Sequence, residues 1–503
     1  MLSRKEVNEA VEMAAEDAMR SMSQTSPAPP VIVLSKAAGE PPCRNRNYNA
    51  HHQIWWERSV RRWQLAPKKF SGMLAFEGQS IRVRFSAEIS NKGAPKARLE
   101  ALPYDASTMF ISDAFHDQQG KRRFAQFTLT GQARDGATFH SDAVIIPTLG
   151  SQHSDSAAST MEPKLWCTKC KIVLPAKPNA TTGVRFFLKG FDCIKPLSAQ
   201  CRLGTIELRG PMSLKPSEKN HVTGELTIDG PPANAAFPTW REDVDHFFKH
   251  VRSILSFARG AQLHAPIVET VWDGRVEVVA HHRSDDDSQP AAVFTPFNYE
   301  AIFHQAVASH FAEKPKAKNI SIAIEWFTMQ HGYREAKLTS AMTVLEHLLT
   351  NNLSRGDMEL RKDKQAKKVR AAMLDAAKLA LEELGVSSEE IEAESATMRD
   401  KLEDINRRPL KDKIYLLARR WGVPMDGIDD EALGAAKRAR DHVVHRGQYL
   451  PKDPTEDLMD HVRLARELVV RFVLAAMEFE GAYASPLTGD QNRMFKILPP
   501  AAQ

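Results

Sequence analysis

At 503 residues with 42% hydrophobic side chains, the chain has the length for more than one domain and the apolar content to bury their cores, which excludes a disordered or fibrous protein. Lys and Arg number 68 against 63 Asp and Glu, a net charge of +5 that suits a polyanionic partner without requiring one, because the two signs are interspersed. No apolar run approaches a membrane span, and residues 1–22 carry acids where a secretory signal would be apolar, so the expected location is cytoplasmic with no membrane partner.

In chain order, Met1 to Met22 reads as a helix, with Val7, Val11, Ala14 and Met19 near helical spacing. Ser23 to Pro42, rich in proline, serine and alanine, reads as a linker. Residues 1–45 are therefore set apart as an appendage. From Trp55 to about Gly230 the texture is one of short alternating segments bounded by glycine, proline or asparagine. They are 73–76, 81–85, 123–129, 143–146, 183–188, 204–208 and 222–228, and they predict a β-rich, sandwich-like region. Asp243 to Ala261 predicts a helix with an apolar stripe through Val244, Phe248, Val251 and Leu255. Ile267 to Ala280 returns to strand character, and Arg283 to Pro290 is a solvated acidic loop.

From Tyr299 onward the pattern is helical. The predicted fold class is thus α+β and multidomain: a β-rich domain over 46–295, an all-α bundle over 296–485 and a tail over 486–503. Arg361 to Glu394 reads as an exposed helix laced with i,i+4 charge pairs, although Lys367, Lys368 and Arg370 could follow an RNA backbone. Thr455 to Phe479 carries a stripe wide enough to pack against two neighbours, as core or as a dimer interface.

Five cysteines are too few and too unevenly spaced for a disulfide framework. Cys167 and Cys170 have the spacing of half a zinc site, and Cys193 and Cys201 are the candidates for its other half. The wide gap in the second pair and the strand-like flanks favour reduced, partly buried thiols instead.

The chemistry concentrates near the C-terminus, in Ala436-Lys437-Arg438-Ala439-Arg440-Asp441-His442-Val443-Val444-His445-Arg446-Gly447. An arginine offers a permanent planar cation for phosphodiester oxygens, a histidine can move a proton near neutral pH, and a carboxylate can orient either. On a helix Asp441 and His445 share a face, while Arg440 projects about 100° away. The bare spacing recurs at Arg46 and His51, at Arg241 and His246, and at Arg259 and His264. Only the 440–445 match adds the acid, the Val-Val filling and the His-Arg-Gly end. The structural alternative is a charged helix end that His445 caps, with Gly447 as the C′ residue.

Upstream, Arg408-Pro409-Leu410-Lys411-Asp412-Lys413-Ile414-Tyr415-Leu416-Leu417 forms an amphipathic helix ending at Gly422, followed by a short acidic linker and the motif helix. This order resembles the HEPN family, an all-helical fold in which such a helix precedes the R-x4-6-H ribonuclease motif. Ile324 to Phe327 and Ala341 to Leu349 resemble the first long helices of its ApeA-like subgroup. The resemblance covers roughly the last third of the chain, and the β-rich-then-helical layout is similar too. Asp441 stands where the family more often has asparagine, which makes the site less cationic.

The resemblance implies a metal-independent endoribonuclease with no cofactor, acting on RNA, tRNA among the candidates. His445 would transfer protons, Arg440 would stabilise the phosphate, and Asp441 would orient one of them. His442 and Arg446 would flank the substrate, with Glu346 on an earlier helix, and two copies would face each other through the helical domain. It also implies abortive defence against phage, with the β-rich domain sensing a phage-derived trigger or restraining the nuclease. The competing expectation is a catalytically inactive HEPN scaffold that binds RNA, nucleotide or a protein partner.

Overall fold

The computed structural model describes residues 67–100, 102–103, 110–111, 114, 125–152, 160–232, 235–283, 292–312, 319–329, 331–451, 456–489 and 491–499. The helix and linker expected over 1–45, the Arg46 and His51 match and the acidic loop lie outside the described residues, the loop except for Arg283. Among the described residues no helix is long and apolar enough to cross a membrane.

The first part is antiparallel β-structure, as the alternating segments predict. Strands β1 (Lys68–Phe76), β2 (Gln79–Ile89), β3 (Pro95–Leu99), β4 (Leu102–Pro103), β5 (Phe127–Gln132), β6 (Thr138–Gln152) and β7 (Thr160–Cys167) come first. They are followed by β8 (Lys169–Pro175), β9 (Gly183–Lys189), β10 (Leu197–Cys201), β11 (Gly204–Arg209), β12 (Val222–Asp229), β13 (Ile267–Trp272) and β14 (Arg275–His281). Two hairpins turn on residues with positive φ, Glu77-Gly78 (44° and 82°) and Asp273-Gly274 (51° and 67°). Both central residues of each turn are left-handed, the twist that tight hairpins need.

The sandwich-like expectation takes the form of one continuous sheet that closes on itself at one end. β6 pairs with β5, β5 with β1, β1 with β2, β2 with β3, β3 with β7, and β7 returns to β6. Phe70, Leu74, Phe85, Phe127, Leu129 and Phe139 fill this ring. From β6 the sheet continues through β8, β14, β13, β9, β12, β11 and β10. Alternation along β9 separates its two faces: Val184, Phe186 and Leu188 join the helical core, whereas Phe187 joins the ring core.

Helix α1 (Phe237–Arg259) covers the first of these faces, burying Trp240, Val244, Phe247, Phe248, Val251 and Leu255. It begins before the predicted Asp243, because Pro238 sits in the first turn, where its missing N–H costs nothing. Then come α2 (Tyr299–His310), α3 (Ile320–Thr328), α4 (Arg334–Asn352), the short α5 (Arg355–Met358), α6 (Asp363–Glu383), α7 (Ser388–Glu403), α8 (Leu410–Trp421), α9 (Asp430–Arg446) and α10 (Leu458–Ala476). α10 is the axis of the bundle. It buries Leu468, Val469, Val470, Phe472, Val473 and Leu474, so its wide stripe is core. One hydrophobic cluster runs without a break from β9–β12 through α1 to α10.

Residues from 486, read from the sequence as a tail, supply strand β16 (Gln491–Phe495), which pairs with β15 (Gly481–Ser485). Phe495 and Tyr483 are buried against the bundle, which is why this end is ordered structure and no tail.

Candidate functional site

The motif occupies the last two turns of α9, and local signals set that helix. The Asp429 side chain accepts the Ala432 N–H at 2.8 Å as N-cap, and Asp430 and Glu431 sit in the first turn, where the helix dipole favours negative charge. Gly447 ends it in the left-handed region at φ 74°, its N–H donating to the Val443 carbonyl at 2.9 Å. Leu433, Ala436 and Ala439 form the buried face, which leaves Lys437, Arg440 and Asp441 along its edge.

Arg440 is the best-held of these side chains, with 26% of its side chain exposed. Its Nη2 lies 3.4 Å from Glu346 Oε1 on α4, and its Nη1 donates to Asp441 Oδ1 at 3.3 Å. Its Nε is buried with no hydrogen-bond partner among the described residues. Asp441 also accepts from Lys437 Nζ at 2.7 Å. Burial raises the Asp441 pKa, but the hydrogen bond and charge of Lys437, followed by those of Arg440, outweigh it and hold the carboxyl below the ordinary aspartate range.

Lys413 on α8 extends the cluster. Its ammonium is pushed down by burial and by Arg407, while Glu346 pulls in the opposite sense. Four charged groups from two helices thus meet, Glu346 of α4 with Lys437, Arg440 and Asp441 of α9, and Lys413 of α8 feels the charge of Glu346. The sequence spacing singled out Arg440 and Asp441, and the family pattern brought in Glu346. Lys437 was missed although it stands four residues before Asp441, the ordinary signal for a pair along a helix.

His445 stands apart from this cluster. It is exposed at the end of α9, and its side chain bonds neither Asp441 nor any other described residue. Asp441 turns instead to Lys437 and Arg440, so within this chain it orients the arginine. Five residues of helix separate Arg440 and His445 by about 140° around the axis. Arg440 accordingly faces α4 while His445 faces outward. His442 Nδ1 meets the Leu450 carbonyl at 3.2 Å, which ties it to the loop after the helix. Arg446 is exposed. On α4, His347 lies against Asn351 of its own helix.

Beneath the cluster is a cavity of about 40 Å³, lined by Met342, Leu345, Ile414, Leu433 and Leu468, with Lys411 and Lys437 at its edge. It is too small for a nucleotide.

The cysteines do not form one ligand set. Cys167 and Cys170 are buried in the ring core, whereas Cys193 is buried and Cys201 half-buried at the helical core. No described group of three or more His, Cys, Asp or Glu side chains is arranged to hold a metal ion. Compared with known proteins, the chain matches no family model and no curated protein.

Proposed function

We propose that the chain is a metal-independent endoribonuclease of the HEPN type, cleaving RNA, with tRNA among the candidate substrates, through Arg440 and His445. In this reading the β-rich region senses a phage-derived trigger or restrains the nuclease in abortive defence. The observation that carries the proposal is the state of Arg440. Its guanidinium is anchored by two carboxylates, while its buried Nε has no hydrogen-bond partner among the described residues. An unpaired buried donor is costly, so a small swing of the guanidinium that brings Nε to the surface and onto a phosphate oxygen would be favoured.

His445 takes the proton of a ribose 2′-hydroxyl. The 2′-oxygen then attacks the adjacent phosphorus, and the 5′-oxygen leaves with a proton from a second acid. The products are a 2′,3′-cyclic phosphate and a 5′-hydroxyl. Arg440 carries the negative charge that builds on the phosphate oxygens. Because Arg440 and His445 diverge on one helix, a second copy brought face to face supplies the missing group, which agrees with the pairing that the HEPN resemblance implies.

The test is incubation of the full chain and its Arg440→Ala and His445→Ala variants with total RNA and with tRNA in EDTA. Each variant should cleave on the order of a hundredfold more slowly at unchanged helix content. Cleavage at the wild-type rate by both would remove the motif from the chemistry. The scaffold alternative draws on the Arg440–Glu346 contact, which also joins α9 to α4. It expects no cleavage by the wild type and a loss of thermal stability in Arg440→Ala.

A further inference from the structure

Beyond Gly447 the chain folds back along α9. Arg438, His442 and His445 stand at i, i+4 and i+7 and share one face of that helix, roughly 140–200° around the axis from Arg440. His442 Nδ1 meets the Leu450 carbonyl at 3.2 Å, so the returning segment runs beside this face and carries Tyr449 with it. There Tyr449 reaches α10. Its hydroxyl donates to Glu456 Oε2 at 3.0 Å and lies 3.1 Å from Nε2 of His461, in the first turn of that helix. Its ring stands edge-on to the imidazole, with centroids 5.6 Å apart. The charge of Arg438 acts on both side chains, which places the pair next to the histidine face.

A phenol carries one hydrogen. With that hydrogen given to Glu456, His461 must bear its own proton on Nε2 and donate it to the phenol oxygen. Burial, then the hydrogen bond and charge of Glu456, push Tyr449 up to about 12, so it keeps its proton at neutral pH. Burial, with Arg438, holds His461 below the ordinary histidine value against Glu456, Asp460 and Asp457, so it is a neutral donor. The outcome is a half-buried hydroxyl with a proton to give, steadied by an N–H that would bond its phenolate more strongly still.

We propose that Tyr449 is the second acid of the cleavage and that His461 is its positioning residue. The inference rests on the ribonuclease reading and names the group which that reading leaves open. A phosphodiester lying along this face has His445 toward its 2′-hydroxyl and Tyr449 toward its 5′-oxygen. The 2′-oxygen, its proton passed to His445, closes on phosphorus; the bond from phosphorus to the 5′-oxygen breaks, and its electron pair takes the Tyr449 proton. The phenolate rests on the His461 N–H until it regains a proton from water, and His445 gives up its own to water. An alkoxide is a much stronger base than a phenolate, so the transfer runs downhill even with Tyr449 raised. Arg438, exposed and in no ion pair with a described residue, stands on the same face for the phosphate oxygens. What a facing copy then adds is Arg440, and no acid is required of it.

The same side chains also tie the loop to α10, so the test has to separate an acid from a brace. Cleavage sites are first mapped in total RNA with the full chain. Two oligoribonucleotides are then copied from one site, identical except that sulfur replaces the leaving 5′-oxygen in the second. A thiolate leaves without a proton, so an acid matters only for the first. Tyr449→Phe should slow the oxygen substrate on the order of a hundredfold and the sulfur substrate about twofold or less. His461→Gln should slow the oxygen substrate on the order of tenfold, and His445→Ala should slow both. Equal slowing of the two substrates by Tyr449→Phe would show a structural role and overturn the proposal, as would cleavage of the oxygen substrate at the wild-type rate. Either result leaves the ribonuclease reading standing, whereas a wild type that leaves total RNA intact overturns both.

Discussion

Arg440 joins two helices through Glu346 and Asp441 and keeps one buried nitrogen without a described partner. The sequence made this arginine legible because an acid, two valines and a glycine stop surround it. It left open whether Asp441 turns to His445 or to the arginine, and in the structure a lysine four residues earlier and the adjacent guanidinium hold the carboxylate. Lys413 was visible only as one charge in an amphipathic helix, and its burial near Glu346 needed the packing of α8 against α4.

A second residue-scale consequence concerns His250 on α1, whose Nε2 meets Ser309 Oγ at 3.0 Å and whose ring lies 5.2 Å from that of His310. Burial, with a contribution from His310, pushes His250 from 6.5 down to about 4. His310 is itself lowered by burial and by Arg202 and His246, against Asp243. As pH falls below about 6.5 the unfolded chain takes up a proton that the folded chain refuses. The contribution is therefore complete above that value and declines toward pH 4 by up to ~3 kcal/mol. Thermal melts at pH 7.5 and 5 should show the fall, and His250→Gln should flatten it. An equally steep fall in His250→Gln would show that His250 is not its source.

At the scale of elements, α10 shows what periodicity reveals and what it hides. Its stripe is plain in the sequence and is core in the structure, but two charged residues stand inside it, Glu467 fully buried and Arg471 1% exposed. Arg471 Nε donates to Glu467 at 2.7 Å, and its Nη1 donates to the Pro424 carbonyl at 2.7 Å. Tyr483 and Ser485 of β15 donate their hydroxyls to Glu467 at 2.6 and 2.7 Å. This network holds the terminal hairpin and the α8–α9 loop onto the bundle axis. Nothing local announces it, because its members come from three separated stretches. Glu467→Ala removes the buried counter-charge of Arg471, leaving only the exposed Asp426 carboxylate at 3.4 Å, and should cost about 3 kcal/mol, read as a lower urea midpoint. A midpoint within error of the wild type would mean that the pair contributes no net stability. The strand β16 was missed for a related reason: five residues beyond a proline and a glycine carry too little alternation to be recognised before their partner strand is known.

For the whole molecule, the order of a β-rich part followed by a helical part was legible, since periods of two and of 3.6 residues differ strongly over long stretches. The closure of the sheet was not. It rests on β3 meeting β7, a pairing between distant stretches that no local signal fixes. Nor was the continuity of one core from the sheet to α10, which makes the helical part that carries Arg440 a structural neighbour of the β-rich part. That continuity gives a physical basis for the sheet to influence the motif helix.

In the proposed reaction Arg440 and His445 would cleave RNA by charge stabilisation and proton transfer. The most direct test is the chemistry of the fragment ends that the full chain leaves on RNA in EDTA. The expected ends are 2′,3′-cyclic phosphates and 5′-hydroxyls, produced by the wild type and lost with His445→Ala. Fragments with 3′-hydroxyl and 5′-phosphate ends, formed only when a divalent metal is restored, would contradict it.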